Sequence, residues 1–269
     1  MIFLGYMAMA LVGVTLGLLG AGGSILTVPI LVYFFGYSAS NATAFSMGIV
    51  GASSLVALVT YWRQGKIHFG SAAKFVPASL AGVFVARRVL LPMVPEVVFA
   101  SETFVLRKNQ LIMVFFATIM VLAARSMMQK KSNTEPALRA SNSHWYGLGQ
   151  SLIAATGVGL VTGFVGAGGG FLIIPALVNL LGMQMAEAVG TSLLIIAINT
   201  ISGFLGSLAQ QSPPWEQLVG LTAVAMVTAF ASSQFASKVP QAKLKPAFGW
   251  FILLVGSFII IEQLIFSSP

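Results

Sequence analysis

The chain has 269 residues, of which 57% are hydrophobic and 7% charged, with no cysteine. A soluble domain carries roughly 25% charged residues, and this much apolar side chain cannot be hidden inside a soluble fold of such length, so lipid must cover much of it. Disulfides, thiolate nucleophiles and cysteine-held metals are excluded, and the net charge of +8 comes from basic residues lying between hydrophobic blocks, which speaks for membrane orientation and against nucleic acid.

The first hydrophobic block, 2–35, is too long and lacks the basic leader of a signal peptide, so it reads as mature structure. Further blocks run over 41–62, 70–91, 109–128, 148–181, 187–209, 216–236 and 247–266. One straight crossing takes about 20 residues. Most blocks fit, but 2–35 and 148–181 are each more than half as long again, and these two match each other. Gly17-Leu18-Leu19-Gly20-Ala21-Gly22-Gly23 corresponds to Gly163-Phe164-Val165-Gly166-Ala167-Gly168-Gly169 at an offset of 146, and ten of the twenty positions from 17 to 36 are identical to their partners. The register continues through Pro29 with Pro175, Gly36 with Gly182 and Ser46 with Ser192. The chain is therefore expected to hold two repeats, 1–130 and 147–269, joined by a polar cytoplasmic linker, 131–146.

Glycine runs followed by Pro29 or Pro175 are poor places for an unbroken helix. Each long block is either one bent crossing or a V that returns to its starting side, and loop charge separates the two. Single crossings leave seven basic residues on each side. Paired Vs put ten on one side (Arg63, Lys66, Lys74, Arg125, Lys130, Lys131, Arg139, Lys238, Lys243 and Lys245) against Arg87, Arg88, Arg107 and Lys108 on the other. The positive-inside rule favours the Vs. The expected fold is an all-α polytopic membrane protein of two inverted repeats, each a broken or re-entrant helix followed by three transmembrane helices, with both termini periplasmic or extracellular.

Broken backbone in the hydrocarbon region must be served by protein or a water-filled cavity. Two inverted breaks would meet near the membrane centre, and the arms beginning at Ser24 and Gly170 would aim free N–H groups at that point, a geometry suited to a small anion. The candidate substrate-binding residues are Gly20, Gly22, Gly23 and Ser24 with Thr43 and Ser46 in the first repeat. In the second they are Gly166, Gly168, Gly169 and Gly170 with Thr191, Ser192 and Asn199. Asn199 is costly to bury and needs a partner, either solute or helix. The same glycines and hydroxyls also serve close helix packing and bonds back to their own helix. Tyr61, Trp62, Trp145, Tyr146, Trp215 and Trp250 stand at block ends as interfacial anchors. His68 and His144 lie in polar connections and read as solvated or interfacial, and Glu262 as snorkelling at a helix end. No metal site or cofactor is expected, and no nucleophile and base are paired, so the chain is not read as an enzyme.

The paired Gly-x-x-Gly-x-Gly-Gly breaks, each followed by a proline and a polar helix start, resemble the TauE/SafE family of sulfite exporters. That resemblance implies a bacterial inner-membrane permease for small anions such as sulfite, sulfonates or related organic anions, coupled to an ion or proton gradient and working by alternating access. The start Ala42-Thr43-Ala44-Phe45-Ser46 departs from the family's small-Thr-Ser pattern more than Val189-Gly190-Thr191-Ser192 does, and the loop from Val94 to Lys108 is longer and more charged than such a permease requires. The rival readings are a passive anion channel and a non-transporting membrane assembly subunit. A homo-oligomer is left open.

Overall fold

Each glycine break closes one helix and begins another. The computed structural model describes residues 2–20, 22–100, 105–128, 144–165, 170–179, 181–208, 213–236 and 241–266. The first block forms α1 (Ile2–Leu19) and α2 (Gly22–Phe35), and α3 (Ala39–Arg63) follows. Next come α4 (Phe69–Val85), a π-helical turn (Ala86–Leu90) and the short α5 (Leu91–Met93). The second repeat holds α7 (His144–Val165), α8 (Gly170–Asn179), α9 (Met185–Leu208), α10 (Trp215–Phe235) and α11 (Gln241–Phe266), and α6 (Lys108–Met128) precedes it. The long charged loop is not all irregular: β1 (Val97–Ala100) and β2 (Val105–Arg107) pair as a small antiparallel ribbon with a register shift between Val97 and Phe99. Among the described residues, five helical spans are long and apolar enough to cross a membrane: Ile2–Leu19, Ala39–Arg63, Phe69–Met93, Met185–Leu208 and Trp215–Phe235.

Local chemistry at the ends of α2 and α8 is repeated. Gly36 and Gly182 take φ of 70° and 66°, left-handed values that cost glycine little. The next amide bonds back six residues in both copies, Tyr37 N–H to Leu31 O at 3.2 Å and Met183 N–H to Leu177 O at 3.2 Å. This is the Schellman closure that satisfies the last helical carbonyls. Ser38 then caps α3 by accepting the Asn41 N–H. Pro29 and Pro175 lie inside α2 and α8, so neither proline is the break.

α1 and α2 fold back on each other as a V. Gly5 near the start of α1 faces Phe34 and Phe35 at the end of α2, and the Tyr6 ring meets Phe35 edge-on at 6.1 Å. Gly20, with φ of 72°, makes the turn. From this Gly20 end the other directions follow. α3 finishes there, since the Tyr61 hydroxyl donates to Gly17 O at 3.0 Å. α9 begins there, with Val189 packed on Gly20. α4 ends at the opposite pole, where Arg87 reaches Thr43 at the start of α3. α3 and α9 thus cross antiparallel, Gly48 against Phe204 and Gly51 against Thr200 and Ile201. The described ends Ile2 and Phe266 share the Arg87 pole, where Tyr33 of α2 donates to Glu262 of α11.

The helices interlock across the repeats: α1 packs on α10, α7 on α4, and α6 on α11. The fit is backbone against backbone. A Cβ at Gly13 would stand 2.4 Å from Ala225 O, and one at Gly159 would stand 2.0 Å from Ser79 O. Gly13 and Gly159 are partners at the 146 offset, and so are Ser79 and Ala225. Gly17 on Ala229 and Gly163 on Val83 repeat the match one turn on. Replacing Gly13 or Gly159 by valine is expected to destabilise the protein by about 1–3 kcal/mol through overpacking, read as a lowered Tm in detergent. Gly70→Ala, where a Cβ meets nothing within 4 Å, should leave Tm unchanged.

Candidate anion site

The residues singled out from the sequence stand at three levels. At the Gly20 end, Gly20 and Gly23 are buried, and a Cβ at Gly23 would lie 2.1 Å from Val12 O. Both serve close packing there. Gly22 opens α2, and Ser24, one turn into it, is fully buried. Thr191 accepts the backbone N–H of His68 at 3.0 Å, and the Ser192 hydroxyl donates to Val189 O at 2.8 Å. His68 also meets Glu187 at 3.2 Å, which joins the α3–α4 connection to α9. Tyr61 is not an interfacial anchor: it is 3% exposed and its hydroxyl donates to Gly17 O and Leu18 O at the end of α1.

Midway lies a polar layer at the α3–α9 crossing. Asn199 Nδ2 donates to Ser79 Oγ at 2.9 Å, so its partner is a helix side chain of α4. Ser53 and Ser54, which match Asn199 and Thr200 at the 146 offset, are fully buried, and among the described residues their hydroxyls have no partner. Buried hydroxyls without partners are uncommon and mark a place where water or solute serves them.

At the third level, Thr43 donates to Ser40 O at 2.7 Å and Ser46 to Thr43 O at 3.0 Å. Gly170 begins α8 and is buried; Gly166, Gly168 and Gly169 lie outside the described residues. α1 ends at the Gly20 end of the bundle, whereas α7 ends at the Arg87 end, where Gly163 packs on Val83 and Ala86. Ser46 and Ser192 are accordingly separated by about 20 Å, at ~1.5 Å per helical residue. The structure does not bring them to a single point.

What it does assemble is a cavity of about 630 Å³ at the Arg87 pole, lined from α4, α9, the start of α3 and the start of α6. Arg87 is the residue that sequence reasoning missed, having been counted as a loop charge. It is 9% exposed, on the π-helical turn that replaces the expected end of α4. Its Nη1 donates to Ser207 Oγ at 3.2 Å and its Nη2 to Thr43 O at 2.9 Å. Arg88, stacked 5.8 Å over the Phe84 ring, and Lys108 also line the cavity, with Glu96 as its carboxylate. The available signal was position: Arg87 lies inside the hydrophobic block 70–91, and an ionisable residue at membrane depth is a functional candidate by default.

A bundle of apolar crossings with interlocked repeats, a polar layer at its crossing and a basic cavity at one pole is the architecture of a polytopic membrane transporter. The comparisons narrow this further: residues 6–259 match the family described as sulfite exporter TauE/SafE, and the chain belongs to that family. It is 28% identical to a "Probable membrane transporter protein" of Xylella fastidiosa (strain 9a5c), over 93% of this chain and 91% of that one. It is 24% identical to a "Probable membrane transporter protein" of Haemophilus influenzae and 22% identical to the "Probable membrane transporter protein YdhB" of Bacillus subtilis, with at least 90% of each chain covered. No solved structure matches.

The Ser79–Asn199 pair makes a measurable claim. Ser79→Ala is expected to lower stability by about 1–3 kcal/mol by stranding the buried amide, seen as a lowered Tm. Adding Asn199→Leu should recover part of the loss. An Asn199 held only by solute would give no loss for Ser79→Ala.

Proposed function

We propose that this membrane transporter is a secondary carrier of small anions, sulfite, sulfonates or related organic anions among them, that works by alternating access between inverted repeats. The observation that carries the anion reading is the excess of positive charge around the 630 Å³ cavity: Arg87, Arg88 and Lys108 against Glu96. Such a lining concentrates anions and disfavours cations. The antiparallel crossing of the offset partners α3 and α9 supports the inverted arrangement.

The packing also suggests which parts move. α1 packs on α10, which holds to α3, while α7 packs on α4, which holds to α9, so each moving body contains helices from both repeats. In this reading the anion passes from the Arg87 cavity, beside Thr43 and Ser46, across the Ser53, Ser54 and Asn199 layer, to Thr191 and Ser192. The Gly20 end, with Arg63, Lys66 and Arg125, faces the cytoplasm by the positive-inside rule, which puts both termini on the periplasmic or extracellular side of a bacterial inner membrane. A proton or ion gradient supplies the coupling.

The test is flux in proteoliposomes with sulfite, sulfate, a small sulfonate and chloride, with and without a pH gradient. Saturable uptake of an oxyanion that accumulates against its own gradient is the expected result. Flux that only dissipates the solute gradient would point to a channel, and absence of any anion flux would defeat the reading.

A further inference from the structure

We infer that Arg87 is the residue that binds the transported anion, and that its ligand is a small oxyanion able to accept two N–H bonds. The inference rests on the anion-carrier reading above and goes beyond it by assigning the binding group. Three observations carry it. The guanidinium is buried, yet among the described residues the ion pairs are His68 with Glu187 and Lys108 with Glu96, and neither involves Arg87. Its Nε–H has no hydrogen-bond partner among the described residues. And the side chain lines the 630 Å³ cavity together with Arg88 and Lys108.

A buried cation without a counter-charge is costly by several kcal/mol. The two neutral acceptors, Ser207 Oγ and Thr43 O, orient the fork but do not neutralise it. An exchangeable anion does. A planar guanidinium with Nε free and Nη groups held by replaceable neutral acceptors matches a pair of oxygens on one sulfur, phosphorus or carboxylate carbon. Chloride, a single-point acceptor, fits less well. The π turn contributes by placing Arg87 on the cavity side at the end of an otherwise regular span, a use to which such turns are often put.

The same guanidinium touches both packing groups. Arg87, on the π turn that continues α4, and Ser207 of α9 lie in one group, and Thr43 belongs to α3. An oxyanion that takes Nη2 from Thr43 O therefore loosens one contact between the groups as it binds. Occupancy and movement are linked through one side chain. At the other pole, the position matching Arg87 is Ser233, which donates to Thr60 Oγ1 at 2.8 Å. The matched position is thus charged at one pole and neutral at the other.

The experiment uses the full chain, purified and reconstituted, with sodium sulfite and sodium sulfate as probes and chloride as control. Three readouts are taken on wild type, Arg87→Lys and Arg87→Gln: KM and maximal rate of uptake, and the anion-induced rise in Tm. Arg87→Lys keeps the charge and removes the fork, and is expected to raise KM at least about tenfold, in line with loss of a bidentate charge-assisted contact, with the oxyanion-induced Tm rise lost. Arg87→Gln should abolish saturable uptake. Ser207→Ala, which leaves the guanidinium in place, should raise KM less than Arg87→Lys does. Wild-type transport with unchanged KM and Tm response in Arg87→Lys would overturn the assignment and leave the carrier reading standing. Absence of anion transport by the wild type would remove both. Should Arg87→Gln fail to fold, the Arg87→Lys comparison decides alone.

Discussion

α3 and α9 cross antiparallel where glycines of each helix receive the larger side chains of the other. Gly51 lies on Thr200 and Ile201, Gly48 on Phe204, and Gly203 on Met47. In lipid no hydrophobic force draws helices together, so close approach over small residues supplies the dispersion contact that holds them. Everything else is built outward from that crossing. α10 lies on α3 and α4 on α9, and α1 and α7 then grip the helices contributed by the opposite repeat through Gly13, Gly17, Gly159 and Gly163. This interlocking means that neither repeat packs as a separate body.

The crossing also fixes where polar groups can be tolerated. Its middle holds Ser53 and Ser54 facing the region of Asn199 and Thr200, and its two ends hold unequal chemistry. At one end a serine, Ser233, meets Thr60; at the other, the matching position carries Arg87. A charge at one pole makes the two ends of the crossing chemically inequivalent. Arg88 and Lys108 line the cavity on that same side.

Much of the fold was legible in the sequence because its causes are local and repeated. The glycine runs at 17–23 and 163–169 announced the breaks, and loop charge pointed to the V that Gly5, Tyr6 and Phe35 form. Three features were not legible. Pro29 and Pro175 sit within helices, past the first turn of α2 and α8, where each removes one helical donor without ending the helix. Tyr61 looked like an anchor by its place at a block end, but its hydroxyl turns inward to the Gly17 and Leu18 carbonyls at the end of α1. Arg87 looked like a loop charge because the π turn, which extends the helix and turns the side chain toward the cavity, has no sequence mark beyond the residue's position inside a hydrophobic block. The same local reasoning placed the two breaks face to face at the membrane centre. The bundle sets the ends of α1 and α7 at opposite poles because each first helix is a full span in length, 18 residues for α1.

The central claim is that access alternates between the Arg87 pole and the Gly20 end. The chain lacks cysteine, so single cysteines can be placed without background at Ser207 near Arg87 and at Thr191 near Gly20. Labelling by a membrane-impermeant maleimide is then measured from each side in proteoliposomes, with and without sulfite. Alternating access predicts opposite changes at the two positions when sulfite is added, one protected as the other is exposed. Equal labelling at both, unmoved by the anion, would contradict it.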